Sequence, residues 1–220
     1  NAYFYEGHLY GLFKRMKAED WSVKMIDDAI DTYLEDLPNR EENIYKRKTR
    51  EFKKGDLKKA KIEDLERRME LLRASAALFP AYQKAMGHAR RYDFEDMILW
   101  VLRAFDQNDL LLRNYQEQYL YFLVDEYQDT NGAQNELLQK LIGFWQNPNV
   151  FIVGDDDQSI YEFQGARLKN LVDFHDHYEE DLKLVVLKNN YRSSNAVLKL
   201  AESLIDFNQK RIVNSLHEKG

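Results

Sequence analysis

Apolar positions in the first half of the chain recur at helical spacing. Val23, Ile26, Ile30, Tyr33, Leu34 and Leu37 follow a period of about 3.6 residues behind Ser22, a natural N-cap, and Pro38 stops the run. From Arg40 to Arg73 the apolar residues thin to Ile44, Phe52, Leu57, Ile62, Leu65, Met69 and Leu72 among many charges. That pattern predicts one or two solvent-exposed helices, broken near Gly55-Asp56. Pro80 opens another helical stretch. The clearest helix begins behind Asp93, with Phe94, Met97, Ile98, Val101, Leu102 and Phe105 on one face.

The period then changes. "YLYFLV" (Tyr119 to Val124), "NVFIVG" (Asn149 to Gly154) and "LKLVVL" (Leu182 to Leu187) are short, apolar and rich in β-branched and aromatic residues, as buried strands are. A helix with Leu137, Leu138, Leu141 and Ile142 inward lies between the first two, so strand, helix, strand predicts a parallel βαβ unit. A last helix follows Ser193-Ser194 and is expected to bury Val197, Leu198, Ala201, Leu204 and Ile205. The fold class is α/β.

With 220 residues and 44% apolar content the chain can bury one core, or one core and a helical appendage. It contains no cysteine, which excludes disulfides, a thiolate nucleophile and cysteine zinc sites. No apolar run is long enough for a signal-peptide core or a membrane span, so the default setting is cytoplasmic, with no membrane partner. Asn1-Ala2 reads as a cloning scar, which would make the chain a piece cut from a longer protein.

The net charge of -6 argues weakly against nucleic-acid binding, but it conceals an uneven distribution. Residues 46–61 hold nine Lys and Arg against two acids. Such a segment is either a solvated helix face or a contact to duplex backbone, salt-sensitive and blind to sequence.

The acids concentrate elsewhere. "LVDEYQDT" (Leu123 to Thr130) and "IVGDDDQSIY" (Ile152 to Tyr161) place Asp125, Glu126, Asp129, Asp155, Asp156 and Asp157 directly behind two predicted strands. Between Tyr115 and Ala166 there are nine acids and one basic residue, Lys140. In a parallel sheet the strand carboxyl ends open on one edge, so both clusters converge there and call for a cation. Mg²⁺ fits best, as a hard ion held by one or two carboxylates together with substrate phosphates. An Asp-Glu pair ending an apolar strand is the Walker B arrangement, in which Asp holds Mg²⁺ and Glu orients or deprotonates the attacking water. The pair alone also fits helix-capping or surface acids, and the acids also suit a Mg²⁺-dependent nuclease.

"LVDEYQDTN", "VGDDDQSIYEFQGA" and "LKNNYRSS" occur in order, each after a strand, and "YDFEDMI" (Tyr92 to Ile98) precedes them. On these motifs the chain resembles the UvrD/Rep/PcrA family of superfamily 1 DNA helicases, as their motifs II, III and IV and the helix before them. "NQKRIVNSL" resembles the start of the family's second motor domain. The resemblance is strong from about Arg91 to Leu216 and only positional before that. It implies a partial RecA-like parallel sheet flanked by helices with an N-terminal all-helical inserted domain. Residues 1–88 would be that insertion, 89–180 the later part of the first motor domain, and 181–220 the start of the second.

The resemblance also implies roles. Asp125 would bind Mg²⁺ and Glu126 would be the catalytic base. Gln158 would sense the γ-phosphate of ATP and couple it to DNA. Tyr191 would stack on adenine, and Arg192 would reach the γ-phosphate as an arginine finger. Tyr161 and Phe163 resemble the aromatic pair that stacks on single-stranded bases, with Phe94 a further candidate. Outside those motifs Phe94 reads as a core residue, Tyr161 and Phe163 as a strand edge or core contact, and Arg192 as a surface ion pair.

Gln164 departs from the family, which has Arg in that position and so one more charge between the third motif and the hydrolysis site. No glycine is followed by lysine, so the phosphate-binding G-x-x-x-x-G-K-[ST] loop is not in this sequence, and the isolated chain is expected to hydrolyse ATP poorly or not at all. The implied activity of the whole protein is ATP-dependent unwinding of duplex DNA with 3′-to-5′ translocation on single strands, in repair or replication restart. The alternatives are the helicase subunit of a recombination helicase-nuclease and a non-catalytic DNA-binding module.

Overall fold

The fold is that of a computed structural model that describes residues 2–48, 51–155, 158, 168–179, 181–187 and 189–205. The chain divides into two compact units, Asn1–Leu99 and Trp100–Gly220.

The first unit is helical. Its elements are α1 (Ala2–Ala18), α2 (Val23–Asp36), α3 (Lys59–Ala76), α4 (Phe79–His88) and the first turns of α5 (Phe94–Gln107). Ser22 caps α2 as expected, its Oγ accepting the Met25 N–H at 3.1 Å. The α2 stripe buries Ile26 and Ile30 against Phe13, Met16, Ala76 and Phe79, and Leu37 is buried where a single turn containing Pro38 ends the helix.

The described residues of 40–58 do not form the exposed helix expected before Gly55. They fold back on themselves through an antiparallel bridge between Ile44 and Leu57, and Gly55 N–H donates to the Tyr45 carbonyl at 3.0 Å. Gly55 takes φ +97°, a left-handed conformation that favours glycine and ends any helix. Tyr45 and Phe52 stack across the fold, ring centres 4.4 Å apart. Helix resumes only at α3.

One buried ion cluster lies in this unit. Lys17, 1% exposed, donates to Asp93 Oδ2 at 2.7 Å and to Asp96 Oδ2 at 2.8 Å, and its Nζ lies 5.0 Å from the Tyr82 ring centre. Asp96 also accepts the Asp93 N–H at 2.9 Å, the reciprocal half of a capping box, so α5 starts where the sequence places it. The buried face of α5 differs from expectation. Leu99, Leu102 and Phe105 are buried with Asp96, whereas Met97 and Val101 are exposed and Phe94 is 83% exposed. Turning Asp96 inward to meet Lys17 sets the rotation of the helix and carries Phe94 out.

The second unit contains the rest of α5, then α6 (Asp109–Gln118), β1 (Phe122–Val124), α7 (Gly132–Ile142), β2 (Val150–Ile152), α8 (Leu168–His177) and α9 (Asn195–Ile205). β1 and β2 pair in parallel with Phe122 opposite Val150 and Val124 opposite Ile152, so the βαβ unit forms as its sequence predicts. Asn131 starts α7 with a full capping box through Gln134. Leu138 and Ile142 pack with Tyr127 and Phe174 under one face of the strand pair.

Three expectations about apolar segments fail. The strands are not buried on both faces: Leu123 and Phe151 are 78% and 64% exposed. No strand spans 182–187, where Leu184 to Leu187 are exposed, because a third strand needs a ladder partner and none lies beside it among the described residues. α9 forms, but buries none of its apolar residues.

Tyr127 is fully buried, and loss of solvation pushes its phenol up to about 12 from an ordinary 10.0. The folded chain therefore keeps this hydroxyl protonated where an unfolded chain would ionise it. The associated stability is whole below the unfolded value and is lost as pH rises toward 12, about 2–3 kcal/mol in all. Unfolding free energies measured by denaturant across that window should fall less steeply for Tyr127→Phe than for the parent. Equal slopes would count against a perturbed Tyr127.

Candidate active site

β1 delivers Asp125 and Glu126 at its carboxyl end, and β2 delivers Gly154 and Asp155 at the adjacent end. The parallel pairing puts both loops at one edge of the sheet. Backbone bonds beyond the strands tie them together: Val153 N–H donates to the Val124 carbonyl at 2.8 Å, and Tyr127 N–H to the Val153 carbonyl at 3.0 Å.

Glu126 adopts φ 50°, ψ 43°, a left-handed conformation that costs a non-glycine residue about 1–2 kcal/mol. Backbone strain of this kind survives where the surroundings over-determine it, and that is often at functional sites. Here Asp125 Oδ1 accepts the Glu126 N–H at 3.0 Å, and a single helical turn follows immediately over Tyr127–Asp129. The Asp125 and Glu126 side chains both remain exposed.

Beneath them lies Gln128, 1% exposed. Its Nε2 donates to Glu126 Oε2 at 2.7 Å, and its Oε1 accepts the Asp155 N–H at 3.0 Å. Asp155 in turn receives the Gln158 Nε2 on Oδ2 at 2.6 Å and the Gln158 N–H on its carbonyl at 3.1 Å. Behind the loop, Asn170 is buried and donates to the Thr130 carbonyl at 3.0 Å, fixing the exit of the turn to α8. Glu126, Asp155 and Gln158 are thus joined through one buried amide.

Tyr191 and Arg192 sit on an exposed turn whose backbone is held by Asn190 Oδ1, accepting from Arg192 N–H at 2.9 Å and Ser193 N–H at 2.8 Å. Tyr191 is 93% exposed, and the Arg192 guanidinium makes no ion pair among the described residues. Phe94, exposed rather than packed in a core, opens α5 in the other unit. Tyr161, Phe163, Gln164, Asp156 and Asp157 lie outside the described residues.

A divalent ion fits the chemistry of this edge, since Asp125 is an exposed carboxylate at the end of β1 and Asp155 follows the neighbouring strand. Among the described residues no group of three or more acidic or histidine side chains is placed to hold a metal ion by itself. That is compatible with Mg²⁺, which commonly takes few protein ligands and completes its shell with water and phosphate.

Residues 6–179 match the family model for the UvrD/REP helicase N-terminal domain. The chain belongs to this family. Among curated relatives it is 39% identical over 150 residues to ATP-dependent DNA helicase UvrD1 of Mycobacterium tuberculosis (strain ATCC 25618 / H37Rv), covering 64% of this chain and 19% of that protein. It is 37% identical over 134 residues to ATP-dependent DNA helicase PcrA of Bacillus subtilis (strain 168), covering 61% and 18%. The chain therefore spans about a fifth of the length of these relatives. As a member of the UvrD/REP family it combines helices with a small parallel sheet, and no described helix is long and apolar enough to cross a membrane.

Sequence reasoning missed Gln128 and Lys17. Gln128 stands inside the second motif, but nothing in a sequence marks an amide as buried between two loops. Lys17 lies 76 residues from Asp93, and no local pattern joins them.

Proposed function

We propose that the full-length protein is an ATP-dependent DNA helicase, coupling Mg-ATP hydrolysis to 3′-to-5′ translocation on single-stranded DNA and to duplex unwinding in repair or replication restart. The observation that supports this most is Glu126, exposed at the carboxyl end of β1 beside Asp125 and held through Gln128. In this reading residues 1–88 are the inserted helical domain, 89–180 the later part of a RecA-like first motor domain, and 181–220 the beginning of the second.

Asp125 would hold Mg²⁺, which when bound neutralises phosphate charge and orients the phosphate chain. Glu126 accepts a proton from the water that attacks the γ-phosphorus, as ADP departs carrying the broken bond's electrons. Gln158 reports the state of the γ-phosphate to the DNA-facing segment that follows it. Tyr191 stacks on adenine, and Arg192 stabilises charge on the transferred phosphoryl group. Tyr161, Phe163 and the exposed Phe94 stack on single-stranded bases, a contact that tolerates any sequence and so suits a translocating motor. The basic segment 46–61 contacts duplex backbone.

The test is ATP hydrolysis by the full-length protein with and without single-stranded DNA, together with unwinding of duplexes carrying a 3′ or a 5′ tail. Stimulated hydrolysis and unwinding from the 3′ tail are expected. DNA binding with no hydrolysis would favour a non-catalytic binding module, and cleavage of DNA without ATP would favour a nuclease.

A further inference from the structure

The hydrogen bonds of Gln128 can be satisfied in only one orientation. Turning the amide over would set its carbonyl oxygen against the Glu126 carboxylate and its NH₂ against the Asp155 N–H, two acceptors facing and two donors facing. Because the side chain is 1% exposed, neither end can turn to water instead, so the amide is locked to both loops. The space it occupies is tight as well. A methyl group on Gly154 would lie 3.1 Å from Gln128 Oε1, so the absence of a side chain at 154 lets the β2 loop close over the amide.

We infer that Gln128 is a positioning residue: it fixes the Glu126 carboxylate for its task and ties that placement to Asp155 and, through it, to Gln158. This rests on the reading of Glu126 as the base. The inference adds a physical link between the base and the residue proposed to sense the γ-phosphate. The links run from Glu126 Oε2 to Gln128 Nε2, from Gln128 Oε1 to the Asp155 N–H, and from Asp155 Oδ2 to Gln158 Nε2. A shift of Asp155 when Gln158 changes partner must move the amide, and the amide must move the carboxylate. A misplacement of about 1 Å at a reacting group costs around 100-fold in rate, so small movements here are enough to switch hydrolysis on or off.

Two substitutions separate this role from simple anchoring of the loop. Gln128→Met keeps the volume and loses both bonds. Gln128→Glu keeps an acceptor for the Asp155 N–H but sets a second carboxyl against Glu126, so the two share one proton and Glu126 is no longer a free base. In the full-length protein both are expected to lower kcat for DNA-stimulated ATP hydrolysis roughly 10- to 100-fold, with KM for ATP near that of the parent. Either variant combined with Glu126→Gln should be no slower than Glu126→Gln alone, because a carboxylate that is gone cannot be misplaced.

The inference is overturned if folded Gln128→Met keeps the parent's kcat, or if the losses appear in KM instead. Should substitution at 128 prevent folding, Gly154→Ala carries the test without replacing Gln128, by crowding its Oε1. It must then lower kcat at constant KM, and an unchanged kcat overturns the inference. Glu126→Gln measured in parallel separates the two levels. Full activity in that variant would remove the reading of the base itself, whereas its inactivity alongside active Gln128 variants would remove only the positioning role.

Discussion

Glu126→Gln in the full-length protein is expected to slow DNA-stimulated ATP hydrolysis by roughly 100- to 10,000-fold, the range that general-base catalysis supplies. Binding of nucleotide and of single-stranded DNA should persist. The substitution is nearly isosteric and keeps an oxygen that can still accept the bond from Gln128 Nε2, now 2.7 Å from the carboxylate, so the loop has little reason to rearrange. It removes the group able to take a proton from water. The left-handed backbone at Glu126 is met as well by Gln as by Glu, since neither is β-branched. Single-turnover hydrolysis measured beside equilibrium binding would check this. Retained hydrolysis would show that the proton goes elsewhere, and parallel loss of binding would show that the residue shapes the site instead.

Lys17→Met should destabilise the helical unit by about 3–5 kcal/mol, the cost of leaving buried charges without their partner. Lys17 is 1% exposed and bonded to two carboxylates, one of them on Asp96, which is itself buried. Burial works to lower the proton affinity of Lys17, but the bonds to Asp93 and Asp96 outweigh it and hold the ammonium above its ordinary value of 10.5. The stabilisation is therefore whole below that value and is lost only as pH rises beyond it. Met fills the volume of the lysine stem and supplies no charge, which isolates the electrostatic effect. Adding Asp93→Asn and Asp96→Asn to Lys17→Met should recover much of the loss, because the charges left unpaired are then gone. Denaturant unfolding monitored by circular dichroism decides the matter. A loss under about 1 kcal/mol, or no recovery in the triple variant, would mean that the cluster is solvated enough to matter little.

Much of this protein is written locally. The cap at Ser22, the stop at Pro38, the start of α5 behind Asp93 and the inward residues Leu138 and Ile142 of α7 depend on neighbours within a turn or two, so spacing alone exposes them. The alternation of strand, helix and strand also fixed the parallel pairing of β1 and β2, and with it the sharing of one edge by Asp125 and Asp155. The motif order pointed to the helicase family, which the match over residues 6–179 bears out.

Tertiary structure decided what depends on distant partners. The rotation of α5 follows from Lys17, 79 residues before Asp96, and the single apolar face read from the helix's own sequence could not include that distant partner. Leu182 to Leu187 have the composition of a strand, yet a strand exists only when another backbone accepts its hydrogen bonds, and composition says nothing about who is alongside. Gln128 shows the same limit at the site: its identity is in the sequence, but its burial and its two-ended grip on Glu126 and Asp155 exist only once β1 and β2 lie side by side.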